Sequence, residues 1–376
     1  MVSPQHPNDD GDRIGIVSTG SYLPATVVEN DEVARAAGVT DEWIVRKTGI
    51  RRRRRAAPEE ATSDLAAEAG RRAMEQAGLT PADLAYIVVA TSTPDHPQPA
   101  TAGIVQHLLG ARNAACFDLN SVCSGFVYAL AVTQGLLRTA ARSGYGLVIG
   151  ADIYSRILNH SDRRTAVLFG DGAGAAVLGP VPSGRGILGT RLLTWGDRHE
   201  MIKVPAGGSR LPASAATVHD GSHYFTMDGG GVRGFVQDEL PAAIGGLLTE
   251  AGVDSASVRH FVPHQANGVM LADVWPRLGL GSAELHLTVD QYANTGSASV
   301  AVTLDEAHRL GRFAVGDRLL LAGFGGGMSV AAQLADWTHT AHARTPGAAI
   351  PHQARGPRGR SAPNPAPASL TVPSAG

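Results

Sequence analysis

The chain has 376 residues, 43% of them hydrophobic and 18% charged, and its formal net charge is −2. This composition is typical of a protein with one large two-part core or two domains, and the near-neutral charge argues against a dedicated nucleic-acid-binding protein. The two cysteines provide no disulfide framework, and the sequence shows neither an export signal nor a stretch of about 18 apolar residues. We therefore expect a cytoplasmic protein without a nucleic-acid or membrane partner.

The two ends of the chain differ in composition from its middle. Residues 1–13 are polar and contain proline, and residues 339–376 are rich in Pro, Ala, Gly and Ser. Such segments cannot bury enough apolar surface to offset the entropy of ordering them. We predict that both ends are disordered.

The first notable element is an arginine run within TGIRRRRR, residues 48–55. Two interpretations stay open here. The run is either a solvated loop or a docking surface for phosphate or for an acidic carrier protein.

A helix–strand unit occurs twice in the chain. EQAGLTPADLAYIVVATST (75–93) and TEAGVDSASVRHFVPHQAN (249–267) each contain an amphipathic helix ending at glycine, a polar connection and an apolar strand. Ala77 aligns with Ala251, an offset of 251 − 77 = 174 residues, and two later pairs of segments match at nearly the same offset. Alternating helices and buried strands predict a layered α/β fold.

A cysteine lies between a predicted strand and a predicted helix in FDLNSVCSGF, residues 117–126. Cys123 would lie at the positive end of that helix, which favours the thiolate form. The alternative is that Cys123 is a small buried packing residue. Further along, FGDGAGAAVLG (169–179) lacks the context of a dinucleotide-binding loop, and its apolar end predicts a strand.

Three motifs of the second half carry polar groups that suit catalysis. His264 follows a strand in VPHQAN, and Asn294 in DQYANTGSAS begins a predicted helix, where an N-cap is the alternative role. The glycines of GFGGGMS (323–329) form either a plain turn or a close approach that points an amide at a developing oxyanion.

The repeat predicts two halves related by a pseudo-twofold axis, 14–185 and 186–338. Cys123 begins a predicted helix of the first half, Asn294 begins the corresponding helix of the second half, and His264 ends the corresponding strand of the second half. The symmetry would bring these three elements toward one central site. Their convergence favours a catalytic role for all three residues.

These motifs together resemble a known family. DEWIVRKTGIRRR, FDLNSVCSGF, FGDGAGAAVLG, VPHQAN, YANTGSAS and GFGGG occur in the order found in β-ketoacyl-ACP synthase III of the thiolase superfamily. The resemblance implies a thiolase-like αβαβα fold and a ketosynthase that acts as a homodimer. It also implies acyl transfer from acyl-CoA, then decarboxylative condensation with malonyl-ACP, which primes fatty-acid or polyketide synthesis.

The resemblance implies roles for individual residues. Cys123 would be the acylated nucleophile, and His264 and Asn294 would stabilise the enolate formed from the malonyl thioester. The backbone amides of Cys123 and Gly326 would form the oxyanion hole. The residues expected to bind substrate are Trp43, Arg163, Asn267 and Gln98. No metal and no cofactor are expected beyond the substrates acyl-CoA and malonyl-ACP.

The chain also departs from the family pattern. Lys47 replaces an arginine common in the CoA site, and Val122 and Ser124 flank Cys123 in place of two alanines. Gln98 occupies a position that is often phenylalanine and that reaches across the dimer to the partner's acyl pocket. These departures predict a specialised enzyme that starts a polyketide with an unusual acyl group.

Other chemistries remain open at this point. An acyltransferase on the same scaffold would pass the acyl group from Cys123 to an alcohol or amine without decarboxylation, with His264 as general base. A papain-like hydrolase shares the order Cys, His, Asn but lacks the local signature and the repeat. A non-catalytic partner subunit is disfavoured because it normally lacks the cysteine.

Overall fold

Two five-stranded sheets form the centre of the fold. The computed structural model describes residues 13–139 and 144–338. The described strands are β1 Arg13–Tyr22, β2 Thr26–Glu29, β3 Arg52–Arg55, β4 Leu84–Ala90, β5 Ala115–Leu119, β6 Tyr145–Ile153, β7 Asp171–Val181, β8 Ile187–Thr194, β9 Ile202–Lys203, β10 Thr226–Met227, β11 His260–Pro263, β12 Glu284–Leu285, β13 Arg318–Gly325 and β14 Ser329–Asp336.

Ten α-helices connect these strands in the described part of the chain. They are α1 Asn30–Ala37, α2 Asp41–Thr48, α3 Thr62–Ala77, α4 Thr101–Leu109, α5 Gly125–Thr139, α6 Ala215–His219, α7 Gly229–Ala251, α8 Gly268–Val274, α9 Val289–Tyr292 and α10 Ala298–Arg309. None of these helices is long and apolar enough to cross a membrane.

The ends of the described region bear on two predicted segments. Strand β1 begins at Arg13, one residue inside the N-terminal segment predicted to be disordered. Residues 1–12 and the predicted tail 339–376 lie outside the described residues.

The two sheets repeat one topology. The strand order is β1-β7-β6-β4-β5 in the first sheet and β8-β14-β13-β11-β12 in the second. In each sheet the first three strands pair antiparallel and the last three pair parallel. The internal repeat predicted from the sequence is therefore confirmed strand by strand.

Helices cover both faces of both sheets. Helices α5 and α10 lie between the sheets and contact strands of each, whereas α3 and α4 cover the outer face of the first sheet. Helices α7 and α8 cover the outer face of the second. Every residue of α10 from Ala298 to Asp305 is buried, as expected for a helix with a sheet on each side. The predicted αβαβα layering is confirmed.

Glycines in β7 let helix α10 approach the first sheet closely. Residues 171–179 of the segment 169–179 lie in this strand, which confirms that the segment is not a dinucleotide-binding loop. A Cβ atom added at Gly174 would lie 2.6 Å from both the Cβ of Ala301 and the backbone nitrogen of Val302. Only glycine fits at this contact without displacing the helix.

The structure contradicts the interpretation of the arginine run as a solvated loop. Arg52–Arg55 form strand β3, which pairs antiparallel with β2. Arg53 is buried and donates hydrogen bonds to the Asn30 side chain and the Val167 carbonyl at 3.0 and 3.2 Å. Burial lowers the pKa of Arg53 to about 10. Arg53 therefore stabilises the fold. Docking of phosphate or of an acidic carrier protein on the other arginines of the run stays a prediction.

We expect Gly174→Ala to destabilise the protein by about 1–3 kcal/mol, because the added methyl overpacks the contact between β7 and α10. Denaturant-induced unfolding measures the change. Gly245→Ala is the matched control, since Gly245 is exposed in the interior of α7 and has open space around its Cα. There we expect a gain of about 0.5–1 kcal/mol from helix propensity. Equal effects at both positions would contradict the close-packing argument.

Candidate active site

A cavity of about 260 Å³ lies where the two halves meet. Cys123 from the first half and His264 and Asn294 from the second all line it. Most of the remaining wall is apolar, and it includes Phe169 and Phe324. The structure thus brings together the three side chains that the sequence predicted to be catalytic.

Cys123 lies in a tight turn between β5 and α5. Residues Val122–Ser124 form one turn of 3₁₀-helix, and α5 begins directly after it at Gly125. Val122 has a φ of 47°, which a β-branched residue rarely adopts. A Cβ atom added at Gly325 would lie 2.9 Å from the Cys123 backbone nitrogen, so this glycine lets β13 approach the turn. Such local strain is characteristic of functional sites.

The protonation state of Cys123 differs from the sequence expectation. The residue is buried, and burial raises the pKa of its thiol; the nearby Asp152 carboxylate raises it further. A hydrogen bond from the Tyr154 hydroxyl to the sulfur acts in the opposite direction. The expectation that the helix end favours the thiolate was therefore wrong at this buried position, because desolvation outweighs the helix end.

His264 is a buried, neutral imidazole held from both sides. It follows β11 and its backbone N–H donates to the Ala322 carbonyl at 2.7 Å. Its Nδ1 lies 2.6 Å from the Ser299 hydroxyl in the first turn of α10. Burial lowers the pKa of His264 to about 3. With Nδ1 engaged by Ser299, Nε2 is the nitrogen available to a ligand in the cavity.

Asn294 lies in the turn before α10 and not at the helix start predicted for it. Helix α10 begins at Ala298, and Ser297 occupies the N-cap position. The side-chain oxygen of Asn294 accepts from the Gly296 amide at 2.9 Å, and its backbone N–H donates to the Leu168 carbonyl at 2.9 Å. These contacts orient the side-chain amide so that Nδ2 is the donor left for the cavity.

Three predicted substrate-binding residues line the same cavity: Trp43, Arg163 and Asn267. Arg163 is exposed at the mouth. The Asn267 side chain caps α8 by accepting from the Met270 amide at 3.0 Å, and it donates to the Lys47 carbonyl at 3.1 Å. The side-chain oxygen and nitrogen of Asn267 are therefore already engaged in joining α8 to α2.

Two other residues predicted to belong to the site, Gly326 and Gln98, do not line the cavity. Gly325 lines it, whereas Gly326 does not, and a Cβ at Gly326 would meet Val122 and Ile202 instead. Gln98 is exposed and lies outside the cavity of its own chain.

Sequence reasoning missed an aromatic cluster and a buried carboxylate beside Cys123. The rings of Tyr154 and Phe169 stack at 4.3 Å, and Phe225 meets them edge-on at 5.6 and 5.0 Å. Asp152 is fully buried, and burial raises its pKa although it accepts several hydrogen bonds. Asp152 and Tyr154 lie in GADIY, residues 150–154. Their position at the end of an apolar strand was the signal that the sequence offered.

Comparison with known proteins identifies the family. Models of 3-oxoacyl-[acyl-carrier-protein] synthase III match residues 117–196 and, for its C-terminal part, 248–337. The chain is 56% identical over 327 residues to an acetoacetyl CoA synthase, NphT7, of Streptomyces sp. strain CL190, covering 86% of this chain and 99% of that protein. It is 45% identical to a β-ketoacyl-[acyl-carrier-protein] synthase III of Caldanaerobacter subterraneus subsp. tengcongensis, covering 86% and 98%.

A solved structure shows the same fold. The priming β-ketosynthase of the R1128 polyketide biosynthetic pathway superimposes with a TM-score of 0.80 at 33% identity, covering 87% of this chain and 97% of that one. The chain therefore belongs to the β-ketoacyl-ACP synthase III family of the thiolase superfamily. It is a ketosynthase, an acyltransferase of the type that primes fatty-acid or polyketide synthesis.

We expect the condensation step to be independent of pH between about 5 and 8 once Cys123 carries its acyl group. The pKa of His264 is lowered, so the imidazole stays neutral down to about pH 4. An imidazole with the ordinary pKa of about 6.5 would be mostly protonated at pH 5, and the rate would fall roughly 30-fold. Single-turnover kinetics of preformed acyl-enzyme with a malonyl thioester measure this. A fall that follows one ionisation near pH 6.5 would contradict it.

Proposed function

We propose that catalysis proceeds through an acyl group on Cys123. The Cys123 sulfur attacks the carbonyl of an acyl-CoA, the acyl–sulfur bond to CoA breaks, and CoA leaves as its thiol with the proton of Cys123. The position of Cys123 in a strained turn lining the cavity supports this role. The amides of Cys123 and Gly326 remain our proposed oxyanion hole. Gly325, which contacts the turn, is the alternative second donor.

We further propose that His264 and Asn294 serve the second half-reaction. The malonyl thioester loses CO2, and the electron pair of the broken bond forms an enolate that attacks the acyl-Cys123 carbonyl. The Cys123 sulfur leaves, and a β-ketoacyl thioester forms. The observation that carries this proposal is that both residues line the cavity with fixed orientation and without charge. Neutral donors suit a negative charge that develops only on one thioester oxygen.

The mouth of the cavity supports a substrate that carries phosphate. Lys47, Arg163, Arg164 and Arg233 line the cavity and are exposed, although the whole chain is slightly negative. Such a cluster attracts the phosphates of CoA or of a phosphopantetheine arm. We propose malonyl-ACP as the acceptor. Malonyl-CoA is the second candidate, favoured by the CoA product in the name of the 56%-identical relative.

The aromatic cluster supports a short acyl group. Phe169 and Phe225 line the cavity, and the buried Tyr154 stacks on Phe169 at 4.3 Å, so rings close this side of the cavity. An acetyl group needs the least room. We therefore propose acetyl-CoA as the preferred donor, in place of the unusual starter suggested by the departures at Lys47 and Gln98.

We propose that the enzyme acts as a homodimer in the cytoplasm and needs no metal or cofactor for the reaction. Gln98 is exposed on its own chain, as a residue serving the partner's pocket must be. The free thiols of Cys116 and Cys123 suit a reducing compartment.

We expect Asn294→Ala to slow condensation on the order of 10²- to 10³-fold, the usual loss for one donor to a developing oxyanion. Intact mass with peptide mapping should show Cys123 acylated at the parental rate, with Cys116 unmodified. Condensation is followed by CO2 release with malonyl-ACP and malonyl-CoA in parallel. Asn113→Ala, on the surface, is the control.

Three outcomes would contradict this assignment. They are condensation at the parental rate, loss of self-acylation in Asn294→Ala, and acyl transfer without CO2 release. The last would point to an alcohol or amine acceptor.

We expect Tyr154→Leu to raise the kcat/KM ratio of butyryl-CoA to acetyl-CoA on the order of tenfold. Two extra methylene groups that find apolar room contribute about 0.8 kcal/mol each, and about 1.4 kcal/mol is a factor of ten. Tyr128→Leu is the matched control, because Tyr128 hydrogen-bonds to the Leu193 carbonyl away from the cavity. An unchanged ratio would show that Tyr154 does not limit acyl length.

A further inference from the structure

Two histidines and a glutamate meet at one edge of the second sheet, outside the catalytic cavity. His260 begins β11, and Glu284 begins the two-residue edge strand β12, which pairs with it in parallel register. His286 follows directly after β12. Since side chains alternate along a strand, Glu284 and His286 share one face. His264 lies four residues beyond His260, about 13 Å along the strand.

The ligand atoms of the three side chains lie close together. His260 Nδ1 lies 3.0 Å from His286 Nε2 and 3.9 Å from Glu284 Oε2. All three ligand atoms lie within 4.8 Å of one another. Around a tetrahedral zinc ion with bonds of about 2.1 Å, neighbouring donor atoms lie about 3.4 Å apart. Side-chain adjustments of an ångström or so would therefore complete the coordination.

A second carboxylate orients the first histidine. Asp317 Oδ2 lies 3.1 Å from His260 Nε2 and also accepts from the Ala314 amide at 2.7 Å. The Asp317 carboxylate places the proton of His260 on Nε2, so the Nδ1 lone pair faces His286. A carboxylate behind a histidine ligand is the usual outer-shell partner of protein metal sites.

The surroundings suit a partly enclosed ion. The Phe313 ring lies 4.9 Å from the His260 ring and 5.4 Å from the His286 ring, and both histidines are buried. The Glu284 side chain is 47% exposed and gives access from solvent. Its other oxygen lies 4.0 Å from Arg312, which leaves Oε2 for the site.

We propose that His260, Glu284 and His286 bind a divalent transition-metal ion, zinc foremost, with a fourth position open to water. Two histidines and one carboxylate form a recognised zinc ligand set. The ion would clamp the short edge strand β12 to β11, so its effect is on stability and not on the condensation chemistry. The resemblance to the family implied no metal, and these ligands carry no spacing motif, because His260 lies 24 residues before Glu284.

The test uses the full-length protein without a tag, stripped of metal by a chelator. Calorimetric titration with zinc chloride should show one equivalent bound per chain, and zinc should raise the unfolding temperature. We expect Glu284→Gln to weaken zinc binding at least tenfold and His286→Gln to abolish the zinc-dependent shift. His199→Asn is the matched control, since His199 contacts a single carboxylate, Glu200, at 3.1 Å on the surface. It should bind zinc like the parent.

Cys123→Ser separates this site from the catalytic cavity, where a thiol and an imidazole also lie. It should keep the zinc-dependent shift. The proposal is overturned if the parent shows no shift, if Glu284→Gln and His286→Gln keep it in full, or if Cys123→Ser loses it. If His286→Gln does not fold, the zinc affinity of Glu284→Gln decides whether the proposed site binds zinc, because Glu284 is exposed and its replacement leaves the core intact.

Discussion

The active site depends on the buried carboxylate of Asp152, which ties the two halves together. One oxygen accepts hydrogen bonds from Thr91, Ser92 and Thr93 at the end of β4, and the other accepts from the amide and hydroxyl of Ser297 at 2.8 and 2.7 Å. A carboxylate without water is stable only with such a set of donors. Because Ser297 is the N-cap residue of α10, the same contact sets the position of the turn that holds Asn294.

Burial then determines the electrostatics of the cavity. The pKa of Cys123 is raised and that of His264 is lowered, so burial favours the neutral form of both groups. Positive charge is confined to exposed side chains such as Lys47 and Arg163 at the mouth. In the reaction proposed above, such a site attracts an anionic substrate at its rim and stabilises the enolate with uncharged dipoles. Fixed dipoles need little reorganisation when charge develops.

The sequence predicted the fold more completely than the site. The repeat was visible because each half must bury the same alternation of strand and helix, and both sheets follow it. Asn294 was placed at a helix start because its tertiary contacts with Gly296 and Leu168 leave no local pattern. The arginine run was predicted to be either a solvated loop or a docking surface, and the burial of Arg53 was not foreseen because its partners lie 23 and 114 residues away. The aromatic cluster around Tyr154 is likewise assembled only by the fold.

A symmetric scaffold becomes an asymmetric catalyst because equivalent strand ends have taken different tasks. The end of β4 supplies hydroxyls to Asp152, whereas the equivalent end of β11 supplies His264 to the cavity. The turn before α5 carries Cys123, whereas the first turn of α10 carries Ser299, whose hydroxyl contacts Nδ1 of His264. At each pair of equivalent positions, one half thus provides a side chain of the cavity and the other half provides a group that holds such a side chain or its neighbours in place. Neither half alone contains a complete site. Tight association of the two halves is therefore a condition of catalysis as well as of stability.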